Sequence, residues 1–353
     1  MHHHSDATTL AVIGAGSIGS RHAELVSQQD FCALVAICDS DPQVEAVANR
    51  CGVPFYRTLG ELLCHEQPQG AIIATPSSAH ADTAVACAQQ GIHVLIEKPI
   101  ADTLTAARRV IDAAQQTGIA VLVGHHRRHN RLLREAREVI QRGELGPLVG
   151  VSVLWAICKP TEYYDLAWRR QPPSGGPALI NLIHDLDSLR FLCGEIEEVY
   201  ARASSAARQL EVEDSLAISI GFANGMLGSI LASDATPSPW SYEATAGENP
   251  HYFHTAENCY HILGTAGSLA FPQMEIWRYG ESAQRGWQFP LTRHRLPVPR
   301  GDPLIAQLAH FCRVLNETET PLVDARDGAQ SLAVALAVLE SAASGRPVTV
   351  PAT

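Results

Sequence analysis

The sequence predicts two domains: a parallel, doubly wound α/β domain, then an α+β domain built on a large, mostly antiparallel, open-faced sheet. Three observations carry this. The chain has 353 residues, more than a single core usually supports. Through about residue 126, short apolar runs alternate with helical segments, the pattern of βαβ units whose sheet is buried on both faces. Beyond about residue 145, strand-like runs follow one another through turns, with one long helical segment among them. The expected division is 1–126 and 127–353, with the C-terminal helix a candidate to pack back on the first domain.

Each element has a local signal. "TLAVIGAG" is an apolar strand running into glycines, and "SIGSRHAELVSQQ" has helical spacing. "CALVAICD" is the second strand. In "DPQVEAVANRCG", Asp41 is placed as an N-cap, Pro42 at the first helical position and Gly52 just past the end. "GAIIAT", "IHVLIE" and "IAVLVG" are strands, separated by helices that close on Gly91 and Gly118. In the second half, "LVGVSVLWAIC", "EEVYARASSA", "DSLAISIGF" and "GMLGSILASDA" read as strands, and "NGM" at 224–226 is a hairpin signal. "ALINLIHDLDSLRFLCG" is the long helix. The last 50 residues return to helices. "KPTEYYDLAWRRQPPSGGP" and "TPSPWSYEATAGENPHYFHTAEN" are the longest irregular stretches, where function often resides.

Composition narrows the classes. The net charge is −11, which argues against bulk binding to nucleic acid or anionic membrane while leaving room for a local basic pocket. No apolar run approaches the roughly 20 residues of a membrane span, and "MHHHSDATTL" lacks a signal-peptide core. Nine scattered cysteines without a CxxC pair then read as reduced thiols in a cytoplasmic protein. The three N-terminal histidines resemble a purification tag and are set aside.

"GAGSIGSRH" reads G-x-G-x-x-G at Gly14, Gly16 and Gly19, after a strand and opening a helix. This context points to a dinucleotide site in a Rossmann domain, with Ser17 and Ile18 at the helix start beside the pyrophosphate. Asp39 ends the second strand, where an acid binds ribose hydroxyls. Ser40 and Asp41 follow, so a 2′-phosphate would meet two acids and no nearby arginine, and NAD is expected over NADP. Thr75, Pro76 and His80 lie at or after the next strand end, where ligands bind in open α/β sheets; packing and helix capping are equal alternatives for His80.

"GIHVLIEKPI" ends a core strand on Glu97, Lys98 and Pro99, one βα unit further on. Charges there are costly unless solvated, paired or used. Lys98 can hydrogen-bond a hydroxyl and stabilise a developing alkoxide, and Pro99, in trans or cis, fixes the local backbone.

The ordered set Gly14 to His22, "TPSSAH", "GIHVLIEKP" and "VGHHRRHN" resembles the Gfo/Idh/MocA oxidoreductases over almost the whole chain. The resemblance implies that Lys98 is catalytic, that the Lys98–Pro99 bond is often cis, and that Glu97 binds the nicotinamide ribose or orients Lys98. It implies that His184 in "SGGPALINLIHDLD" is the catalytic histidine. Inositol dehydrogenases place an Asp four positions before it; here Asn181 stands three before. Both spacings share a helix face, but Asn cannot ionise, which puts an inositol-type ring in doubt. The family also implies dimers or tetramers formed through the open sheet face.

His184 suits a proton acceptor, with an ordinary pKa of about 6.5, and Asn181 a substrate contact. Asp185 is the nearer of two further acids, ahead of Asp187. Arg127, with Arg128 as its alternative, Tyr163, Trp168 and Arg169 are candidate substrate contacts; Lys159, Tyr164, Trp240, Tyr242 and Asn249 are further candidates for the pocket wall. His125, His126 and His129, and separately His251, His254, Cys259 and His261, lack a recognised zinc spacing, and no metal is expected. The expectation is an NAD-dependent dehydrogenase for a secondary hydroxyl of a sugar, cyclitol or sugar acid, a homodimer or homotetramer. The alternatives are an NAD-dependent hydrolase or isomerase working by transient oxidation, and a non-catalytic sugar sensor.

Overall fold

The computed structural model describes residues 7–250, 252–280 and 284–353. They form two compact units. The first comprises the chain through His126, Leu304–Leu332 and Thr353; the second comprises Arg127–Pro303 and Ala333–Ala352. The helix Ala325–Ser344 runs through the division.

The first unit holds a six-stranded sheet of β1 (Thr8–Ile13), β2 (Cys32–Cys38), β3 (Phe55–Tyr56), β4 (Gly70–Ile73), β5 (His93–Glu97) and β6 (Val121–Gly124). Its order is β3-β2-β1-β4-β5-β6 and every pair is parallel. The chain winds outward from β1 in one direction and from β4 in the other, so the strand order reverses between them. That switch point is where an open α/β sheet binds its ligand. Leu10, Val12, Ile37, Ile72, Leu95 and Leu122 of the strands share one core with Val26 and with Leu308, Phe311 and Leu315 of the helix Pro303–Leu315. Burying a Leu, Ile or Phe stabilises by about 1.5–3 kcal/mol each, so this late helix is integral to the nucleotide fold.

Local chemistry sets the element ends. Asp41 accepts the Gln43 amide at 2.9 Å and opens a 3₁₀ turn, Pro42–Val44. The helix Glu45–Cys51 continues from it and closes on Gly52 at φ 70°. The helix Leu59–His65 opens on a reciprocal capping box between Thr58 and Glu61. That helix and the two-residue β3 are not evident from hydrophobic periodicity, being too short to show a period.

The second unit is a nine-stranded sheet. It comprises β7 (Leu148–Ala156), β8 (Ile196–Ser204), β9 (Ser215–Phe222), β10 (Leu227–Ser233), β11 (Tyr260–Gly264), β12 (Ser268–Phe271), β13 (Glu275–Arg278), β14 (Thr292–Arg295) and β15 (Val348–Thr349). The order is β14-β13-β12-β11-β7-β10-β9-β8-β15. The meander β8–β9–β10 lays β10 beside β7 in the same direction, so that pair is parallel and the rest are antiparallel. Strand β9 shows the period-2 pattern plainly: Leu216, Ile218, Ile220 and Phe222 are buried and Ala217 and Ser219 exposed. The predicted long helix is two pieces, a π-helical turn Ala178–Leu182 and an α-helix Ile183–Cys193 buried along its whole length. Strands β11 to β15 escape the sequence pattern because they are only two to five residues long. Among the described residues, no helix is long and apolar enough to cross a membrane.

Candidate active site

The glycine loop is shaped for a dinucleotide. Gly14 sits at φ +86°, and a Cβ there would meet the Ala74 carbonyl carbon at 2.6 Å. A Cβ on Gly19 would meet the Gly14 oxygen at 1.9 Å, so helix and strand pack this closely only without side chains. Gly16 has open space in front of it. It caps the helix Ser17–Ser27, and no side chain caps that helix start. The amides of the first turn are therefore left to an incoming anion, with the positive end of the helix behind them. The residues present fit a pyrophosphate.

Asp39 lies beside this loop. Its Oδ2 accepts the Ala15 amide at 2.6 Å and its Oδ1 the Asp41 amide at 2.9 Å. The carboxylate is thus fixed, with lone pairs left for ribose hydroxyls. The sequence expectation that no arginine stands near needs correction. Arg57, just after β3, donates from Nη2 to the Ser40 carbonyl at 2.6 Å. It is 17 residues from Ser40, and only the pairing of β2 with β3 brings it there.

At the ends of β4 and β5, the loops are tied to each other. His80 is 2% exposed; its Nδ1 lies 2.9 Å from the Pro99 carbonyl and its Nε2 2.7 Å from the Thr75 carbonyl. Burial holds its pKa below the usual histidine value, against the pull of those two carbonyls. His80 is therefore a brace between loops, which is the packing alternative that its sequence position left open beside cofactor contact. Thr75 keeps a hydroxyl without a hydrogen-bond partner, and Pro76 is exposed. The Lys98–Pro99 bond is cis, and both side chains are half-buried.

Glu97 is engaged from inside the unit. Its Oε1 lies 2.8 Å from Nε2 of His22, and its Oε2 accepts the Lys98 amide at 3.3 Å. Burial alone would raise this carboxyl, but the His22 hydrogen bond and the charges of His22, His126 and Lys98 hold it at about 2. Glu97 is thereby an anchor for the backbone of Lys98. The partnership of His22 and Glu97, 75 residues apart, has no signal in the sequence.

In the second unit, His184 lies in the first turn of the helix Ile183–Cys193 and keeps 7% exposure. Asn181 sits in the π turn before it, half-buried, and its amide oxygen has no hydrogen-bond partner. The carboxylate of Glu213 accepts the Ala178 amide at 2.9 Å and so holds the start of that turn. π turns often mark functional positions in helices.

Asp185, Arg127, Arg128 and Tyr242 depart from expectation. Asp185 is fully buried, pairs with Arg127 at 3.1 Å and accepts the Tyr260 hydroxyl. Burial and the charge of Glu243 push its carboxyl up to about 6, against Arg127 and Tyr260. Arg127 is 2% exposed, pairs also with Glu243 at 2.8 Å, and lies 3.9 Å over the Tyr242 ring. Arg128 forks onto Asp187 at 2.9 and 2.7 Å. These charges hold the fold together and leave no surface for substrate. Tyr242, fully buried with its hydroxyl on Glu248, is core for the same reason.

Arg169 and Lys159 instead gather at Tyr163, with Trp168 exposed beside them. Trp240 is also exposed, and Tyr164 is buried with its hydroxyl on Asp234. Among the described residues no three His, Cys, Asp or Glu side chains gather as metal ligands. His251 and the N-terminal histidines lie outside the described residues.

A glycine cradle at the switch point of a parallel sheet, with a fixed acid for ribose, defines a dinucleotide-binding α/β protein. The chain belongs to the Gfo/Idh/MocA family: residues 8–125 match its NAD-binding Rossmann fold and residues 137–350 its C-terminal alpha/beta domain. It is an oxidoreductase and NAD is its cofactor. It is 28% identical to an inositol 2-dehydrogenase of Rubrobacter xylanophilus, over 97% of this chain and 93% of the relative. A myo-inositol 2-dehydrogenase of Thermotoga maritima is 26% identical over 96% and 97%. Among solved structures, the WlbA dehydrogenase of Bordetella pertussis in complex with NADH and UDP-GlcNAcA superposes with TM-score 0.79 at 26% identity, covering 98% and 99%.

Proposed function

We propose that the protein oxidises a secondary hydroxyl of a sugar, cyclitol or sugar acid, or reduces the matching ketone. The observation that carries this is Lys98 at the carboxyl end of β5, its backbone fixed by a buried Glu97 that His22 holds ionised. The names of the relatives, inositol and sugar-derivative dehydrogenases, agree with this reading.

In the proposed mechanism, bound NAD supplies the acceptor for a hydride. Lys98 donates a hydrogen bond to the reacting oxygen and stabilises the negative charge that develops there. His184 accepts the hydroxyl proton, a task to which an imidazole is suited. The unpartnered amide oxygen of Asn181 accepts a hydrogen bond from a neighbouring hydroxyl and orients the ring. The nine cysteines are all free thiols, which suits a reducing cytoplasm.

The test is NADH formation across a panel of sugars, inositols and aldonates, with wild type and Lys98→Ala. We expect at least one substrate to reduce NAD, and Lys98→Ala to lower kcat by about a hundredfold or more. If nothing on the panel reduces NAD and Lys98→Ala changes nothing measurable, the proposal is wrong. Net conversion of a substrate without accumulation of NADH would point instead to transient oxidation.

A further inference from the structure

Resting on the dehydrogenase reading and extending it to the substrate class, we propose that Arg169, backed by Lys159, binds an anionic oxygen group of the substrate. That group is a carboxylate or a phosphate. The two cations converge on one aromatic ring. The guanidinium carbon of Arg169 lies 4.1 Å from the Tyr163 centroid, and Nζ of Lys159 lies 4.5 Å from it. Arg169 also faces Trp168 at 5.4 Å, and its Nη1 donates to the Tyr163 carbonyl at 3.0 Å. These contacts fix the plane of the guanidinium.

They do not use up its donors or its charge. The Nε of Arg169 is enclosed without a hydrogen-bond partner. Arg169 pairs with no carboxylate among the described residues, whereas Lys159 and Arg208 nearby both pair with Asp234. Lys159 pairs with Asp234 at 3.2 Å, but Nζ has no well-directed hydrogen bond there. Asp234 is shared besides: Arg208 binds it at 2.9 Å and Tyr164 donates its hydroxyl to it. The other acids that face Lys159 are committed elsewhere. Glu213 holds the Ala178 amide, and Glu243 holds Arg127 and the Trp155 indole. Arg169 is left as the uncommitted charge. A flat guanidinium with spare donors is the group that best matches the two oxygens of a carboxylate or phosphate.

The location suits a substrate substituent. Glu213 stands between this cluster and the turn that carries Asn181 and leads to His184. The segment presenting Arg169 is two 3₁₀ turns, Thr161–Asp165 and Ala167–Arg170, with Leu166 and Trp168 each 49% exposed. The one buried side chain of the segment, Tyr164, is held by Asp234 and not by Arg169, which leaves ligand contact as the reason to stack two cations on the Tyr163 ring.

The experiment measures NAD reduction by wild type, Arg169→Gln and Lys159→Met with glucose, glucuronate, gluconate, glucose 6-phosphate and myo-inositol. In parallel, calorimetry measures binding of the same compounds to the NADH-loaded protein. We expect an anionic compound to exceed the neutral ones at least tenfold in kcat/KM or in affinity. Arg169→Gln should cut that anionic-to-neutral ratio at least tenfold, through KM rather than kcat, and Lys159→Met should cut it less. Glucuronate and gluconate against glucose 6-phosphate tell a carboxylate from a phosphate. Equal or better use of neutral compounds, no binding of any anion, or an equal loss for both classes in Arg169→Gln overturns the proposal. Should Lys159→Met fail to fold, Arg169→Gln, on its exposed segment, carries the test. NAD reduction on neutral polyols without an anion preference sinks the subsite alone; anion binding without any NAD reduction sinks the dehydrogenase reading alone.

Discussion

At the scale of single residues, the buried pair of His22 and Glu97 sets up the reactive end of β5. Their side chains are 1% and 8% exposed and 2.8 Å apart. Removing one partner leaves the other uncompensated, which costs about 3–5 kcal/mol. His22→Ala should therefore destabilise the protein by about 3 kcal/mol in urea denaturation, with Lys98 intact but NAD turnover reduced. A loss below about 1 kcal/mol would show that the pair is not holding the loop. The pH dependence follows from the direction of the Glu97 shift, down from 4.5 to about 2. A depressed carboxyl contributes stability that is fully present above its unfolded value and is lost as pH falls toward its folded value. Stability should thus decline between about pH 4.5 and 2, and His22→Ala should flatten that part of the stability–pH curve.

Arg127 offers a second residue-scale test, because its burial and its two partners had no sign in the sequence. Polar and charged residues at the start of a loop look alike whether they meet a ligand or one another. "GHHRRHN" could not disclose that Arg127 has Asp185 and Glu243 as partners, 58 and 116 residues away. Arg127→Met would leave the fully buried Asp185 without its counter-charge and take one partner from Glu243, so we expect a loss of about 3–5 kcal/mol. Trp168→Ala, at an exposed position, should stay within about 0.5 kcal/mol of wild type. The place of Lys98 in the fold was legible for the opposite reason: a strand end, a charge and a proline are adjacent in sequence, and Lys98 directly follows β5.

At the scale of elements, what could be read was what local chemistry decides. Asp41 caps a group two residues on, with Pro42 beside it, and Gly52 ends the helix Glu45–Cys51 as read; the 3₁₀ turn Pro42–Val44 that Asp41 opens before that helix was not separable from it in sequence. Strand β14, by contrast, is four exposed residues with no alternation, and only its pairing with β13 makes it a strand. The cofactor preference depends on such a pairing. The loops after β2 and β3 put Arg57 against Ser40, beside an Asp39 that repels a 2′-phosphate. Asp39→Ser should lower the preference for NAD over NADP at least tenfold in kcat/KM, because a charged acceptor for the ribose is worth about 1.5–3 kcal/mol. Part of the change should be a gain with NADP, and the double variant Asp39→Ser with Arg57→Ala should lose that gain. If the double variant uses NADP as well as the single one does, Arg57 has no part in reading the ribose.

At the scale of the whole molecule, the second unit's sheet has one face that the described residues leave exposed. Tyr200, Leu227, Leu231, Leu263 and Trp277 stand outward from four different strands, 36, 69, 58, 44 and 36% exposed. The strand register puts them on the same side: Leu227 and Leu263 both pair with Gly150, and Ser268 links Leu263 to Trp277. Scattered single apolar residues need no explanation, but a contiguous set on a flat sheet does. The inward face cannot substitute for it, since Leu216, Ile218, Ile220 and Ile230 are already buried there. A second copy meeting this face would bury like against like under a two-fold axis, the commonest symmetry of soluble oligomers. We therefore expect wild type to sediment as a dimer or tetramer at micromolar concentration. Leu227→Lys with Leu231→Lys should shift it to a species of 353 residues that keeps its far-UV circular dichroism, because both positions are already exposed within one chain. A wild-type monomer, or a double variant that stays associated, would move the assembly surface elsewhere.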